Sequence, residues 1–287
     1  MTSGARGRPF LASRSAGWLA LLVLAGCGSG SLTAEGTGSP TARPPASTAA
    51  PSAVPSPSAA SPSATPATAP LAGRVVVLDP GHNRDNGRFP AEIGRPVDAG
   101  GFSKQCNTTG TATDGGVPEA TVNWQLAVAL RDRLQALGAR VVLTRDADAG
   151  WGPCIDERAA IANRAGAHLL LSLHADGAAA SGYGFHVIAP GVRPGWTDDI
   201  AEDSGRAAAL VRDALVGAGL TTSSYLGDDG IDVRTDLGTL NRADVPAVML
   251  EAGNLRNPAD AALLTSSDGR ARVADALARA VADFLTG

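Results

Sequence analysis

Short, fully apolar runs alternating with longer amphipathic stretches constrain the fold of this chain more than any other feature. The runs Val75-Val76-Val77-Leu78, Leu169-Leu170-Leu171-Ser172-Leu173 and Ala247-Val248-Met249-Leu250 are too short for buried helices. Bounded by polar or turn residues, each reads as a strand covered on both faces in a parallel sheet. Between them lie helix patterns. From about Pro118 to Leu137 the residues Val122, Leu126, Leu130, Leu134 and Leu137 form one stripe, with Pro118 suited to the first helical position and Gly138 to the stop. Further helices are expected over 156–165, about 200–216, from Pro258 and over 268–285, and further strands over 140–144 and 184–189. This alternation predicts an α/β fold: a three-layer domain with a largely parallel central sheet flanked by helices.

The folded part does not begin at the first residue. Arg6, Arg8 and Arg14 precede a short apolar core, Trp18 to Leu24, too short to span a bilayer. The core ends in Leu24-Ala25-Gly26-Cys27, which resembles the bacterial lipobox, a signal whose cysteine is acylated and becomes the mature N-terminus. Residues 1–27 thus read as a lipoprotein-type signal peptide with Cys27 as the lipidation site; the alternative is a plain secretory signal with an incidental cysteine. Residues 28–72 are mostly Ser, Thr, Ala, Pro and Gly. They hold too few large apolar groups to offset the entropy of ordering, and read as a disordered stalk. Fully extended as polyproline II such a stalk reaches on the order of 140 Å, and as a loose coil roughly 40 Å. Residues 73–287 form one domain large enough for a substantial core. The expected location is exported, lipid-anchored to the outer face of the cytoplasmic membrane, and the expected state a monomer.

The chain has 24 Lys+Arg against 28 Asp+Glu, and setting aside the charges of the first 72 residues leaves the domain more acidic still. Nucleic-acid binding needs a basic face and is not expected. After Cys27 two cysteines remain, Cys106 and Cys154. In an exported domain they form a disulfide candidate, whose loop would contribute about 4 kcal/mol by the chain-entropy argument. Two buried free thiols are the alternative. Cys106 lies in a long stretch, 83–118, rich in Gly, Asn, Asp and Thr; a loop of that length is usually functional or stapled.

The ends of the apolar runs carry the chemistry. Val75–Leu78 leads into Asp79-Pro80-Gly81-His82, Leu169–Leu173 into His174, and Ala247–Leu250 into Glu251. In open α/β sheets ligands bind outside the carboxyl ends of the strands, so two imidazoles and a carboxylate are expected along one sheet edge. Glu119 opens the first long helix, where the helix dipole favours a carboxylate. Two His and one Glu are a known catalytic zinc set that leaves one coordination position open. Glu251, at the same edge, is placed to move protons. Taken singly, each of these residues also has an ordinary structural reading as a core histidine, a capping charge or a salt-bridged strand end.

Together the motifs resemble a family. Asp79-Pro80-Gly81-His82, Glu119, Thr144-Arg145, Arg158 with Ala162-Asn163, Ser172-Leu173-His174-Ala175-Asp176 and Glu251-Ala252-Gly253-Asn254 with Asn257 occur in the order seen in zinc-dependent N-acetylmuramoyl-L-alanine amidases of the amidase-3 type. The likeness spans essentially all of 74–286. The contexts of Cys106 and of Gly152-Pro153-Cys154 are most similar to mycobacterial-type cell-wall amidases with a disulfide. The resemblance implies one catalytic Zn2+ held by His82, Glu119 and His174, with Glu251 as general base. It implies hydrolysis of the amide between N-acetylmuramic acid and L-alanine in peptidoglycan or muropeptides. Three positions depart from the common pattern: Asn83-Arg84 after the first His, Ala120 after Glu119, and Asp176 where Asn is usual. None removes a candidate ligand. A different zinc amidohydrolase or peptidase on the same scaffold, and a non-catalytic envelope-binding module, are the competing readings.

Other conspicuous residues have plainer expectations. His168 starts its strand at the far end from His174 and reads as structural, and His186 as core. Trp124 packs the first helix, while Trp151 and Trp196 lie in loops, where contact with sugar or peptide is the alternative to a plain structural role. Arg158 is expected in a buried salt bridge or a loop cap.

Overall fold

A computed structural model describes residues 69–287; the signal segment, Cys27 and all but the end of the 28–72 stretch lie outside them. In chain order the elements are β1 (Val75–Pro80), α1 (Pro90–Gly94), β2 (Pro96–Asp98), β3 (Ser103–Gln105), α2 (Glu119–Ala136), β4 (Arg140–Leu143), α3 (Ile155–Ala165), β5 (Leu169–Asp176), β6 (His186–Pro190), α4 (Ala201–Gly217), β7 (Ile231–Arg234), α5 (Gly238–Asn241), β8 (Ala247–Asn254), α6 (Pro258–Thr265) and α7 (Ser267–Thr286). Six strands form one sheet in the order β4-β1-β5-β8-β6-β7, and β2 pairs with β3 in a separate hairpin.

Strands β4, β1, β5 and β8 run parallel, as fully apolar strands joined by helical crossovers should. The expectation of a largely parallel sheet holds with one exception: β6 runs antiparallel to β8, and β7 follows β6. The alternation of side chains along each strand sorts the core into two layers. Val76, Leu78, Leu169, Leu171, Leu173, Val248 and Leu250 face the layer built on α2, α4 and α7. Val77, Leu170, Ile188, Ala247 and Met249 face the thinner layer on α3 and α5. By the same parity Asp79, Ser172, His174, His186 and Glu251 project from the thin-layer side. They lie at the strand ends, where Arg158 of α3 reaches Asp79 and residues of α3 and α5 share a cleft with His174 and Glu251, so the apolar pattern itself sets which face carries the polar groups.

The buried stripe of α2 is as expected at Val122, Leu126, Leu130 and Leu134, while Pro118 is the residue before the helix and not its first turn. Leu71 is fully buried and its backbone N–H donates to Leu137 O (2.9 Å), so core packing extends back to residue 71. The long stretch 83–118 is not featureless. It holds a 3-10 turn at Asn86–Arg88, then α1 and the β2–β3 hairpin. These elements are three to five residues long and mostly polar, so they leave no periodic signal. The Cys106–Cys154 disulfide ties the end of this stretch to the residue that precedes α3.

Candidate metal centre

The site begins where β1 ends. After Pro80 the chain turns through Gly81 into His82, whose φ of 58° is left-handed and uncommon outside glycine. A buried arginine holds that turn. Arg158 Nη1 donates to Asp79 Oδ1 (2.5 Å) and Pro80 O (3.0 Å), Nη2 to His82 O (3.1 Å) and Asn83 Oδ1 (2.7 Å), and Nε to Pro153 O (3.0 Å). Asp79 also accepts from the hydroxyls of Thr144 (2.6 Å) and Ser172 (2.7 Å). Burial by itself would push the Asp79 carboxyl up; the Arg158 guanidinium and the two hydroxyls outweigh it and bring it down to about 2.

Three candidate ligands meet above this network. Glu119, the first residue of α2, places Oε1 3.3 Å from His82 Nε2 and 3.0 Å from His174 Nδ1. One donor atom from each of the three residues lies within 4.8 Å of the others. Ligand atoms around a tetrahedral zinc sit roughly 3.4 Å apart at ordinary bond lengths, so both the chemistry and the spacing of this donor set fit such an ion. Glu119 Oε2 is fixed by the Thr111 N–H (2.9 Å), and Oε1 also accepts from Asn123 Nδ2 and Ala175 N, each at 3.3 Å. Burial raises the Glu119 carboxyl, but the imidazoles, His82 foremost, hold it well below the usual range. In return, although burial disfavours its charge, His82 is carried above the ordinary histidine value by Glu119.

Gly81 makes the close packing here achievable. A Cβ at that position would lie 2.2 Å from both Cε1 and Nε2 of His174. The turn therefore seats the imidazole with Nδ1 toward Glu119. Gly81→Ala is expected to displace the ring and weaken metal binding at these three candidate donors by about 10-fold or more, with the far-ultraviolet circular dichroism unchanged. Competition titration against a chromophoric chelator reads this directly; unaltered affinity would show that the ring does not depend on the turn.

Glu251 stands beside the cluster, in register with His174 across β5 and β8. Burial, reinforced by the carboxylates of Glu119 and Asp176 and opposed by Arg234, pushes its carboxyl well above the ordinary range. Among the described residues its Oε2 has no hydrogen-bond partner. A strongly shifted acid in a cleft is a candidate for proton transfer. The cleft has a volume of about 710 Å³ and runs from His82, His174 and Glu251 past Met249 to Lys104 on the hairpin. A second, smaller cleft of about 410 Å³ is lined by Thr109, Gly110, Asp176 and Glu119 and shares His82, His174 and Glu251 with the first. The cluster thus lies where two clefts meet.

Most other expectations find a place. His168 Nδ1 accepts from the Val75 N–H (3.1 Å), a structural contact away from the site. His186 is buried, but it opens β6, paired with Glu251, and its Nδ1 lacks a partner. The Arg145 guanidinium lies 5.2 Å from the centre of the Trp124 ring, and Trp196 is covered in the same way by Arg242. Neither Trp151 nor Trp196 lines the two clefts. Thr144 and Ser172 stood among the family motifs in the sequence, but their role as hydroxyl partners of Asp79 did not; Asn123 and the loop carbonyl of Thr108 that accepts from His82 Nδ1 (3.0 Å) were not foreseen. Two of these carried a usable signal: Ser172 has the same strand parity as His174, and Asn123 follows Glu119 by one helical turn.

Comparison with known proteins agrees with this geometry. The Amidase_3 family profile, described as N-acetylmuramoyl-L-alanine amidase, matches residues 76–283. "N-acetylmuramoyl-L-alanine amidase Rv3717" of Mycobacterium tuberculosis is 45% identical over 218 residues, which are 76% of this chain and 88% of that protein. Among solved structures, the amidase Ami1 of Mycobacterium smegmatis superposes with a TM-score of 0.71 at 42% identity, over 75% of this chain and 98% of that one. The apo form of Ami1 from Mycobacterium abscessus gives the same score and identity, over 75% and 100%.

Proposed function

The chain belongs to the amidase-3 family of N-acetylmuramoyl-L-alanine amidases, in its mycobacterial type, and we propose that it is a zinc-dependent member. Its substrate is the amide between N-acetylmuramic acid and L-alanine, in peptidoglycan or its soluble fragments, and its role is cell-wall remodelling or turnover. The observation that carries this reading is the juxtaposition of the His82, Glu119 and His174 donors with Glu251 where the two clefts meet.

In this reading His82, Glu119 and His174 hold the ion. A bound zinc supplies Lewis-acid polarisation of a carbonyl and eases the loss of a proton from water. The protein's own residues do the rest. The two clefts take the parts of the substrate on either side of the scissile bond. Glu251, buried beside them, accepts the proton of the attacking water at a carboxylate oxygen and delivers it to the leaving nitrogen. A carboxyl whose pKa is raised toward the working pH suits both halves of that transfer.

The proposal extends to the chain ahead of the domain. Cys27 carries the lipid, the stretch from residue 28 up to the packed Leu71 forms the tether, and the catalytic domain works in the envelope at the outer face of the cytoplasmic membrane.

The test uses the full chain and a muramoyl-pentapeptide. Free stem peptide with an L-Ala amino terminus is expected, with about one zinc per chain; a chelator abolishes release and added zinc restores it. Cleavage within the peptide, or turnover indifferent to a chelator that has stripped the metal, would sink the proposal.

A further inference from the structure

We infer that the segment 106–111 is a strap that positions two of the three zinc ligands, and that the Cys106–Cys154 disulfide anchors it and thereby sets how tightly the centre holds zinc. The inference rests on the reading of His82, Glu119 and His174 as zinc ligands.

One end of the strap is fixed to the body of the domain. Cys106 is bonded to Cys154, and its backbone N–H donates to Arg95 O (2.8 Å) while its carbonyl accepts from Ile155 N (2.8 Å). Asn107, also buried, donates from Nδ2 to Pro153 O (3.2 Å), and its Oδ1 accepts the N–H of Thr108 (2.8 Å). The strap then reaches the site with its backbone. Thr108 O accepts from His82 Nδ1 (3.0 Å) and from Asn86 Nδ2 (2.7 Å). A carbonyl at Nδ1 selects the tautomer that leaves the Nε2 lone pair free, and Nε2 is the atom facing Glu119. Two residues on, the strap passes so close to both ligands that only glycine fits. Gly110 has φ 73°, and a Cβ there would lie 2.7 Å from Glu119 Oε2 and 2.9 Å from His82 Cδ2. At Thr111 the strap and Glu119 exchange hydrogen bonds: Thr111 N to Glu119 Oε2 and Glu119 N to Thr111 O, both 2.9 Å.

Between these ends the strap has no apolar anchor of its own. Thr108 and Thr109 are exposed, and no helix or strand spans the segment. Its order depends on the disulfide and the hydrogen bonds of residues 106 and 107 at one end, and on Asn86 and the ligands at the other. With the disulfide removed, ordering the strap falls to the metal-binding step, and zinc affinity drops while the liganded site remains the same.

The full-length Cys106→Ser/Cys154→Ser variant tests the anchor. Its zinc affinity, read by chelator competition, is expected to fall about 10- to 100-fold, with turnover at saturating zinc little changed. That split separates positioning from general loss of structure. Gly110→Ala, which keeps the disulfide, tests the strap and decides the matter if the serine variant does not fold; it too is expected to lose zinc affinity. Affinity equal to wild type in the folded serine variant overturns the anchoring role, and equal affinity in Gly110→Ala overturns the strap. A wild-type protein that binds no zinc overturns the metal centre itself, a result distinct from either.

Discussion

Glu251→Gln is expected to lower turnover by about two to four orders of magnitude while the protein still binds its zinc. The two halves of that expectation rest on different parts of the geometry. Glu251 lies next to His174 on the neighbouring strand, so it reaches the same cleft. It is not one of the three clustered donors, so its amide should leave metal content at wild-type stoichiometry. Glutamine keeps the shape and removes only the ability to take up and release a proton. The pH profile supplies a second, independent reading. The Glu251 carboxyl is raised above its ordinary value, first by burial and then by Glu119 and Asp176. Activity that needs the carboxylate is present above that raised pKa and is lost as the pH falls through it. The acid limb of kcat/KM for release of stem peptide should therefore be present in the wild type and missing from the residual activity of the variant. Near-wild-type turnover in Glu251→Gln would remove this residue from the chemistry.

How far the site can be read before folding depends on which force makes each part. The sheet edge is legible because burial writes itself into sequence: apolar runs 75–78, 169–173 and 247–250 give strands, and strict alternation sends His174 and Glu251 to one face. Glu119 is harder to read. A carboxylate opening a helix has an ordinary capping role, and only its company with two strand-end histidines, and then the family likeness, singled it out. The antiparallel entry of β6 left no mark, since Val187, Ile188 and Ala189 are equally buried in either direction. The strap is the least legible part. It acts on His82 and Glu119 through a carbonyl and an N–H that nearly every residue possesses, so its traces in the sequence are its anchor Cys106 and Gly110, where a side chain has no room. Contacts made by backbone in a polar loop obey no period, and the sequence cannot announce them.

Removing Asp79 is expected to be as damaging to stability as removing Glu251 is to activity. Asp79→Ala should destabilise the domain by about 3–5 kcal/mol in a denaturant titration, because it leaves the Arg158 guanidinium buried and without its counter-charge. Side-chain exposure in the pair is 2% for Arg158 and 1% for Asp79, so water cannot step in. The hydroxyls of Thr144 and Ser172 lose their acceptor in the same stroke. Asp79→Asn retains an acceptor oxygen and should fall less far. Its difference from wild type carries a definite pH signature. The folded-state pKa of about 2 lies below the ordinary 3.8, so the carboxylate's contribution is complete above about pH 4 and disappears as the pH falls through 2. The stability gap between wild type and Asp79→Asn, on the order of 2 kcal/mol, should therefore be flat near neutrality and close over that interval. A gap that persists unchanged to pH 2 would mean that Asp79 acts through packing and not through charge. The same network carries the effect into the site: Arg158 also holds the carbonyls of Pro80 and His82 and the side chain of Asn83. When it loses Asp79 it is free to leave the left-handed turn at His82. Any Asp79 variant that still folds should then bind zinc more weakly as well, which makes the deepest ion pair of the domain a support of the site that lies above it.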